Sequence, residues 1–177
     1  MNKAAKSFSF SLLLASMLQA ECLVDYSVMY LIAKNEMHEK RDIGYPYLIS
    51  FNNPNDSKKA KEKISDLNWL DGRTVDCKGI DICENTLASI NLLDIYNLDL
   101  GAYQINQKWY FFKDKNEYFN LEKSYNNACR IVYGHYEETG TWDWKTIARY
   151  HSKTPEHNKQ YAERLKASYI KIKGDQS

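Results

Sequence analysis

Between Val24 and about Met37, apolar residues return at helical spacing, with Val28, Leu31/Ile32 and Asn35 on one side. This predicts a buried helix that runs into the charged stretch His38-Glu39-Lys40-Arg41-Asp42. "YLISF" follows, flanked by the turn signals Gly44, Pro46 and Pro54, and reads as a strand. "SKKAKEKI" predicts one short exposed helix. "NWLDGRTVDCKGIDIC" places an Asp-Gly pair before an extended "RTVDC" and predicts a small irregular sheet stapled by cysteines. From Asn85 the pattern turns helical. "NTLASINLLDIYN" has a candidate N-cap in Asn85 or Thr86, and "NLEKSYNNACRIVYGHYEETG" runs from Asn120 to a Gly140 stop. "WDWKTIARYH" reads as a short helix. "TPEHNKQYAERLKASYIKI" opens with Thr154 as N-cap and Pro155 in the first helical position. The expected class is mostly α (α+β), a helical bundle with a small β lobe inserted after the first helix.

Composition divides the chain of 177 residues into a leader and one domain. Lys3 and Lys6 precede a largely apolar stretch from Phe8 to Leu18, and Leu18-Gln19-Ala20 ends in a small residue. That is the layout of a secretory signal peptide over 1–20, with the domain over 21–177. The apolar run of about 11 residues is too short for the ~20 of a membrane-spanning helix. Removing 1–20 takes away two lysines and no acid, which leaves 22 basic against 23 acidic residues and a formal charge of about −1. Such a balance supplies no basic field for nucleic acid and no polybasic stripe for a membrane surface. The expected form is a monomer with no membrane span after cleavage.

Export changes how the cysteines read. All four, Cys22, Cys77, Cys83 and Cys129, lie in the exported part, and in an oxidising compartment an even set predicts two disulfides. Three connectivities are open. Cys77–Cys83 closes a short loop, which leaves Cys22–Cys129 as the expected second pair. No Gly-rich phosphate loop and no Gly-x-Ser-x-Gly elbow occurs, and "HEKRD" lacks the second histidine of a zinc protease helix, so neither cofactor nor metal is expected.

Three separated segments remain: "KNEMHEK", "DLGAYQIN" and "IARYHSKTPEHNKQYAERL". Together, and in this order, they resemble the lytic transglycosylases of the lysozyme-like superfamily, over roughly Asp25 to Ile170. The stretches around "GYPYLISFN" and "ARYHS" look most like small members that accompany type IV secretion or conjugation machines. The resemblance implies a lysozyme-like fold and a catalytic glutamate at the end of the first helix, Glu36. It implies Gly101, Tyr103, Gln104 and Ile105 along the cleft, with Tyr103 as a wall for sugar rings. Tyr150 and His151 would support the glutamate and contact substrate, the Tyr150 hydroxyl lying near Glu36.

The residues agree with that choice of acid. Cleaving a glycosidic bond needs a carboxylic acid still protonated near neutral pH, to donate to the leaving oxygen. Burial at an apolar helix end favours the protonated form of a carboxyl. Glu36 follows the apolar stripe, whereas Glu39 lies in a charged run that water should solvate. By resemblance, the expected activity is cleavage of the N-acetylmuramic acid–N-acetylglucosamine β-1,4 bond in periplasmic peptidoglycan, with an anhydromuramic end as product. The enzyme would open the wall locally for an envelope-spanning secretion or conjugation apparatus, its expected partner. A hydrolytic muramidase is the alternative, with a second carboxylate among Asp42, Asp56, Asp71 and Asp76. A catalytically weak glycan-binding assembly component is another, because Met37 stands where the family usually has serine and His151 where asparagine is common. Trp69, Trp109, Trp142 and Trp144 are expected in the core.

Overall fold

The structure, a computed structural model, describes residues 22–174; the leader expected over 1–20 lies outside them. The first helix, α1 (Tyr26–Glu36), is capped by Asp25, whose carboxylate accepts from the Ser27 backbone N–H at 2.7 Å. Met29, Leu31, Ile32 and Ala33 bury its apolar side, and Met37 ends it in extended backbone. The helix therefore stops at Glu36.

Strand β1 (Leu48–Phe51) comes next and is buried on both faces. α2 (Pro54–Lys63) starts three residues before the start expected from its charged stretch. The Asn53 side chain caps it and Pro54 takes the first position, so this proline opens a helix as well as closing a turn. β2 (Thr74–Asp76) follows. α3 (Ile80–Asn91) corrects an expectation: it begins at Ile80 behind Gly79 rather than at Asn85 or Thr86, and takes Cys83 into its first turns. No side chain caps this start. The signal for a helix N-terminus was absent where the helix begins, and Asn85 and Thr86 mimicked it inside the helix.

β3 (Leu98–Leu100) and β4 (Ile105–Asn106) complete an antiparallel sheet in the order β2-β1-β3-β4. Its register sorts the side chains into rows. Ser50 lies opposite both Thr74 and Asp99, and Asp99 lies opposite Asn106, so one face carries a polar row across all four strands. Ile49 opposes Val75 and Leu100, and Leu100 opposes Ile105, which gives the other face its apolar row.

The rest is helical. α4 (Asn116–Phe119) leads into α5 (Leu121–Thr139), which runs from the Asn120 cap to Gly140 in the left-handed region at φ +70°. α6 (Trp144–Ile147) continues into a 3-10 turn, Ala148–Tyr150, and α7 (Pro155–Gly174) packs across α1 and α6. The architecture is α+β, a set of helices around a small antiparallel sheet. No helix among the described residues is long and apolar enough to cross a membrane.

Two disulfides, Cys22–Cys129 and Cys77–Cys83, use all four cysteines. The first ties the chain just ahead of α1 to α5; the second ties the end of β2 to α3. The tryptophans divide. Trp69 stacks on Phe51 at 5.3 Å and Trp144 packs against the core, but Trp109 and Trp142 are exposed, contrary to a core placement. Trp142 still covers one face by lying parallel on Tyr136 at 4.6 Å.

Candidate active site

Glu36 occupies the last position of α1, where the buried stripe ends and the chain leaves the helix. Its side chain is only 13% exposed, and its Oε1 is buried without a hydrogen-bond partner among the described residues. Just before it, Asn35 donates from Nδ2 to the Leu31 carbonyl at 2.8 Å and to the Ser168 hydroxyl at 3.2 Å, fixing this end of α1 to α7.

Three rings surround the carboxyl. The Tyr161 hydroxyl of α7 faces it and is itself buried and unpaired, so the two are neighbours that close no hydrogen bond of ordinary geometry. Tyr150 lies close enough for the Glu36 charge to act on it. Burial first, and then the neighbouring Glu36, push both phenols well above their usual range, so both stay neutral. His151 brings Nδ1 to 3.7 Å from Oε1, and its ring stacks on Tyr161 at 4.7 Å with a 6° interplanar angle. The site thus joins the end of α1, the 3-10 turn and the first half of α7. A carboxyl oxygen that the fold leaves without a hydrogen bond is free to exchange a proton with a bound substrate.

The second segment supports this site through its backbone. The Tyr150 hydroxyl donates at 2.6 Å to the Tyr103 carbonyl, so it is committed to the β3–β4 turn rather than to Glu36. Gln104 sits at φ +47°, and its Nε2 donates to the Gly101 carbonyl at 2.9 Å, so its amide orders the turn. Ile105 is buried in β4, and Tyr103 is only 6% exposed, its ring edge-on to Tyr125 at 6.0 Å.

Gly101 is set by contact. At φ +75°, a Cβ there would lie 2.0 Å from the Tyr118 carbonyl oxygen, a backbone atom that cannot step aside. Gly101→Ala should therefore cost about 3 kcal/mol, from left-handed strain and overpacking together. Urea unfolding reads it directly; an unchanged midpoint would show that the turn relaxes around the methyl group.

Of the four aspartates expected as second carboxylates, Asp76 and Asp71 are engaged by other groups. Asp76 accepts from the Arg41 guanidinium and, at 2.8 Å, from the Tyr45 hydroxyl. Asp71 accepts from the Arg73 and Thr74 backbone and pairs with His38 at 3.0 Å. Asp56 stands in the first turn of α2, and Asp42 is exposed. The acid that does interact with Glu36 is Asp99, the centre of the polar row. Its side chain is 21% exposed, and Asn106 Nδ2 donates to its Oδ1 at 2.7 Å. Burial raises its carboxyl above the usual range against the Asn106 and Asn52 hydrogen bonds, and the Glu36 charge adds to the rise.

Tyr161 and Asp99 both lay within the three marked segments without being singled out. The alternation in "LDL" carried the signal for Asp99: Leu98 and Leu100 point into the core, so the residue between them takes the opposite face. Tyr161 had no such mark, because a tyrosine at a buried helix position looks like core until the opposing Glu36 is in place. No group of three or more His, Cys, Asp or Glu side chains able to hold a metal ion occurs among the described residues. Compared with protein-family models, curated proteins and solved structures, the chain finds no match.

Proposed function

We propose that this protein is a lytic transglycosylase of lysozyme-like fold that cleaves the N-acetylmuramic acid–N-acetylglucosamine β-1,4 bond of peptidoglycan. The observation that carries this reading is Glu36: a mostly buried carboxyl at the end of an apolar helix, its Oε1 unpartnered and faced by a neutral phenol. Glu36 donates its proton to the leaving C4 oxygen of N-acetylglucosamine as the bond to muramic C1 breaks. The carboxylate then takes the proton of the muramic C6 hydroxyl, whose oxygen closes on C1. Atoms balance without water, and the product carries a 1,6-anhydro end. Attack by a hydroxyl already tethered to the sugar has an effective-molarity advantage, up to ~7–11 kcal/mol in ideal cases.

The two disulfides suit an oxidising compartment, and the leader-like residues 1–20 agree with export to the periplasm. The resemblance to secretion-associated transglycosylases makes an envelope-spanning apparatus the machine served.

Asp99 favours a second reading, a hydrolytic muramidase in which this carboxylate acts on an external water or on the sugar carbon. Digestion of purified sacculi in heavy-oxygen water separates the two. Unlabelled anhydromuramic ends are expected. Labelled reducing ends, heavier by one water, would make the enzyme a hydrolase, and Asp99→Asn should then abolish the labelled product.

A further inference from the structure

Glu138 stands in the last turn of α5, which packs on the 3-10 turn leading to Tyr150 and His151. Its carboxylate takes a cation from each end of that segment. Arg149 donates from Nη2 to Oε2 at 2.6 Å, and Lys153 donates from Nζ to Oε1 at 3.0 Å and to Oε2 at 2.9 Å. In the chain these two cations bracket Tyr150, His151 and Ser152. Among the described residues Glu138 is the only hydrogen-bond partner of the Arg149 guanidinium, whose Nε is buried and unpaired.

Lys153 first, and then Arg149, hold the Glu138 carboxyl down to about 2, so it is charged across the neutral range. His135 of α5 lies buried beside it, with Nδ1 3.7 Å from Oε2. Burial first, and then the Lys153 charge, push that imidazole below its usual range and keep it neutral.

Exposed ion pairs contribute little to stability, because water screens them and ordering the side chains costs entropy. Glu138 is 47% exposed, so its network is poorly placed to hold the whole fold together. It is well placed to fix one segment. The Tyr150 hydroxyl anchors that segment on the β3–β4 turn, and Asn158 Nδ2 of α7 anchors it at the Ser152 carbonyl, 3.0 Å away. Glu138 supplies a third anchor, from the α5 side. His151, held between these anchors, carries the ring whose Nδ1 lies 3.7 Å from Glu36 Oε1.

We propose that Glu138 is a positioning residue for the candidate acid. By clamping Arg149 to Lys153 it sets the backbone of the segment, and with it the placement of His151 against Glu36. This rests on Glu36 being the acid. Misplacing a group by about 1 Å can cost about 10²-fold in rate, and loosening one anchor of three should cost less.

Fragment release from purified sacculi tests this with Glu138→Ala, Glu138→Gln and a matched control, Glu137→Ala. The alanine substitution at 138 removes both acceptor oxygens. It should lower the maximal rate about three- to tenfold and leave the half-saturating sacculus concentration within about twofold of wild type. Glu138→Gln keeps one acceptor oxygen and should restore part of the rate. Glu137 is exposed in the same turn and bonds neither cation, so its variant should match wild type. Tm should fall by no more than about 4 °C in any of the three. Imidazole NMR reads the displacement without turnover. The His151 signals should move in Glu138→Ala, and those of His38, paired with Asp71 beyond α1, should not. A wild-type rate in Glu138→Ala, slower release with His151 unmoved, or a larger fall in Tm overturns the proposal. Moved His151 signals without any release by the wild-type protein keep the clamp and remove Glu36 as an acid.

Discussion

Glu36→Gln is expected to lower fragment release from purified sacculi by about 10²–10⁴-fold, the range a positioned general acid contributes. Binding to the sacculus should persist. The amide keeps the size of the side chain but cannot give up a proton as a carboxylic acid does. The surroundings make this substitution clean, because Oε1 closes no hydrogen bond that the fold depends on. Glu39→Gln serves as the matched control: Glu39 is exposed in the charged run after α1, so its release rate should stay near wild type. Substantial release by Glu36→Gln with none by Glu39→Gln would sink the assignment. If the wild type binds sacculi and releases nothing, the protein is a glycan-binding component, and Met37, where the transglycosylases it resembles usually have serine, becomes the first suspect.

The Cys22–Cys129 disulfide should dominate the stability of the fold. Its partners are 107 residues apart, against 6 for Cys77–Cys83. In the chain-entropy account the long loop stabilises by about 4–5 kcal/mol and the short one by about 2 kcal/mol. The double variant Cys22→Ser/Cys129→Ser should therefore lower Tm by roughly 10–20 °C, at ~2–4 °C per kcal/mol for a domain of this size. The location adds a functional effect, since Cys22 precedes α1 and Glu36 ends it. Loosening the start of α1 should lower activity at temperatures where the reduced protein is still folded. Denaturant unfolding of the variant and the wild type measures the difference; coincident midpoints would mean the cross-link contributes nothing to stability.

Much of this arrangement is legible in the chain itself, for local reasons. α1 announces itself by its apolar period, and α5 by the Asn120 and Gly140 signals at its two ends; the Asp25 cap of α1 shows only in the structure. β1 shows as an apolar run between turn residues. The glutamate that ends α1 is readable because burial follows the apolar stripe, which separates Glu36 from Glu39. The N-cap of α3 is misplaced by six or seven residues because the real one, Gly79, has no capping side chain while Asn85 and Thr86 look like caps.

Tertiary structure alone decided what surrounds Glu36. Tyr161 lies 125 positions away in sequence, and only the crossing of α7 over α1 brings its hydroxyl to the carboxyl. Asp99 gains its relation to Glu36 from strand register: one residue of slip would turn it into the apolar row and leave a leucine facing the cleft. Gly101 and Gln104 could be marked from sequence as belonging to the site. That they build its turn instead depends on the Tyr118 carbonyl above Gly101 and on the Gln104 amide folding back. Periodicity and caps are set by neighbours within a few residues, so the sequence determines them alone. A partner for a buried carboxyl comes from packing between distant segments, and that is settled only when the whole chain closes.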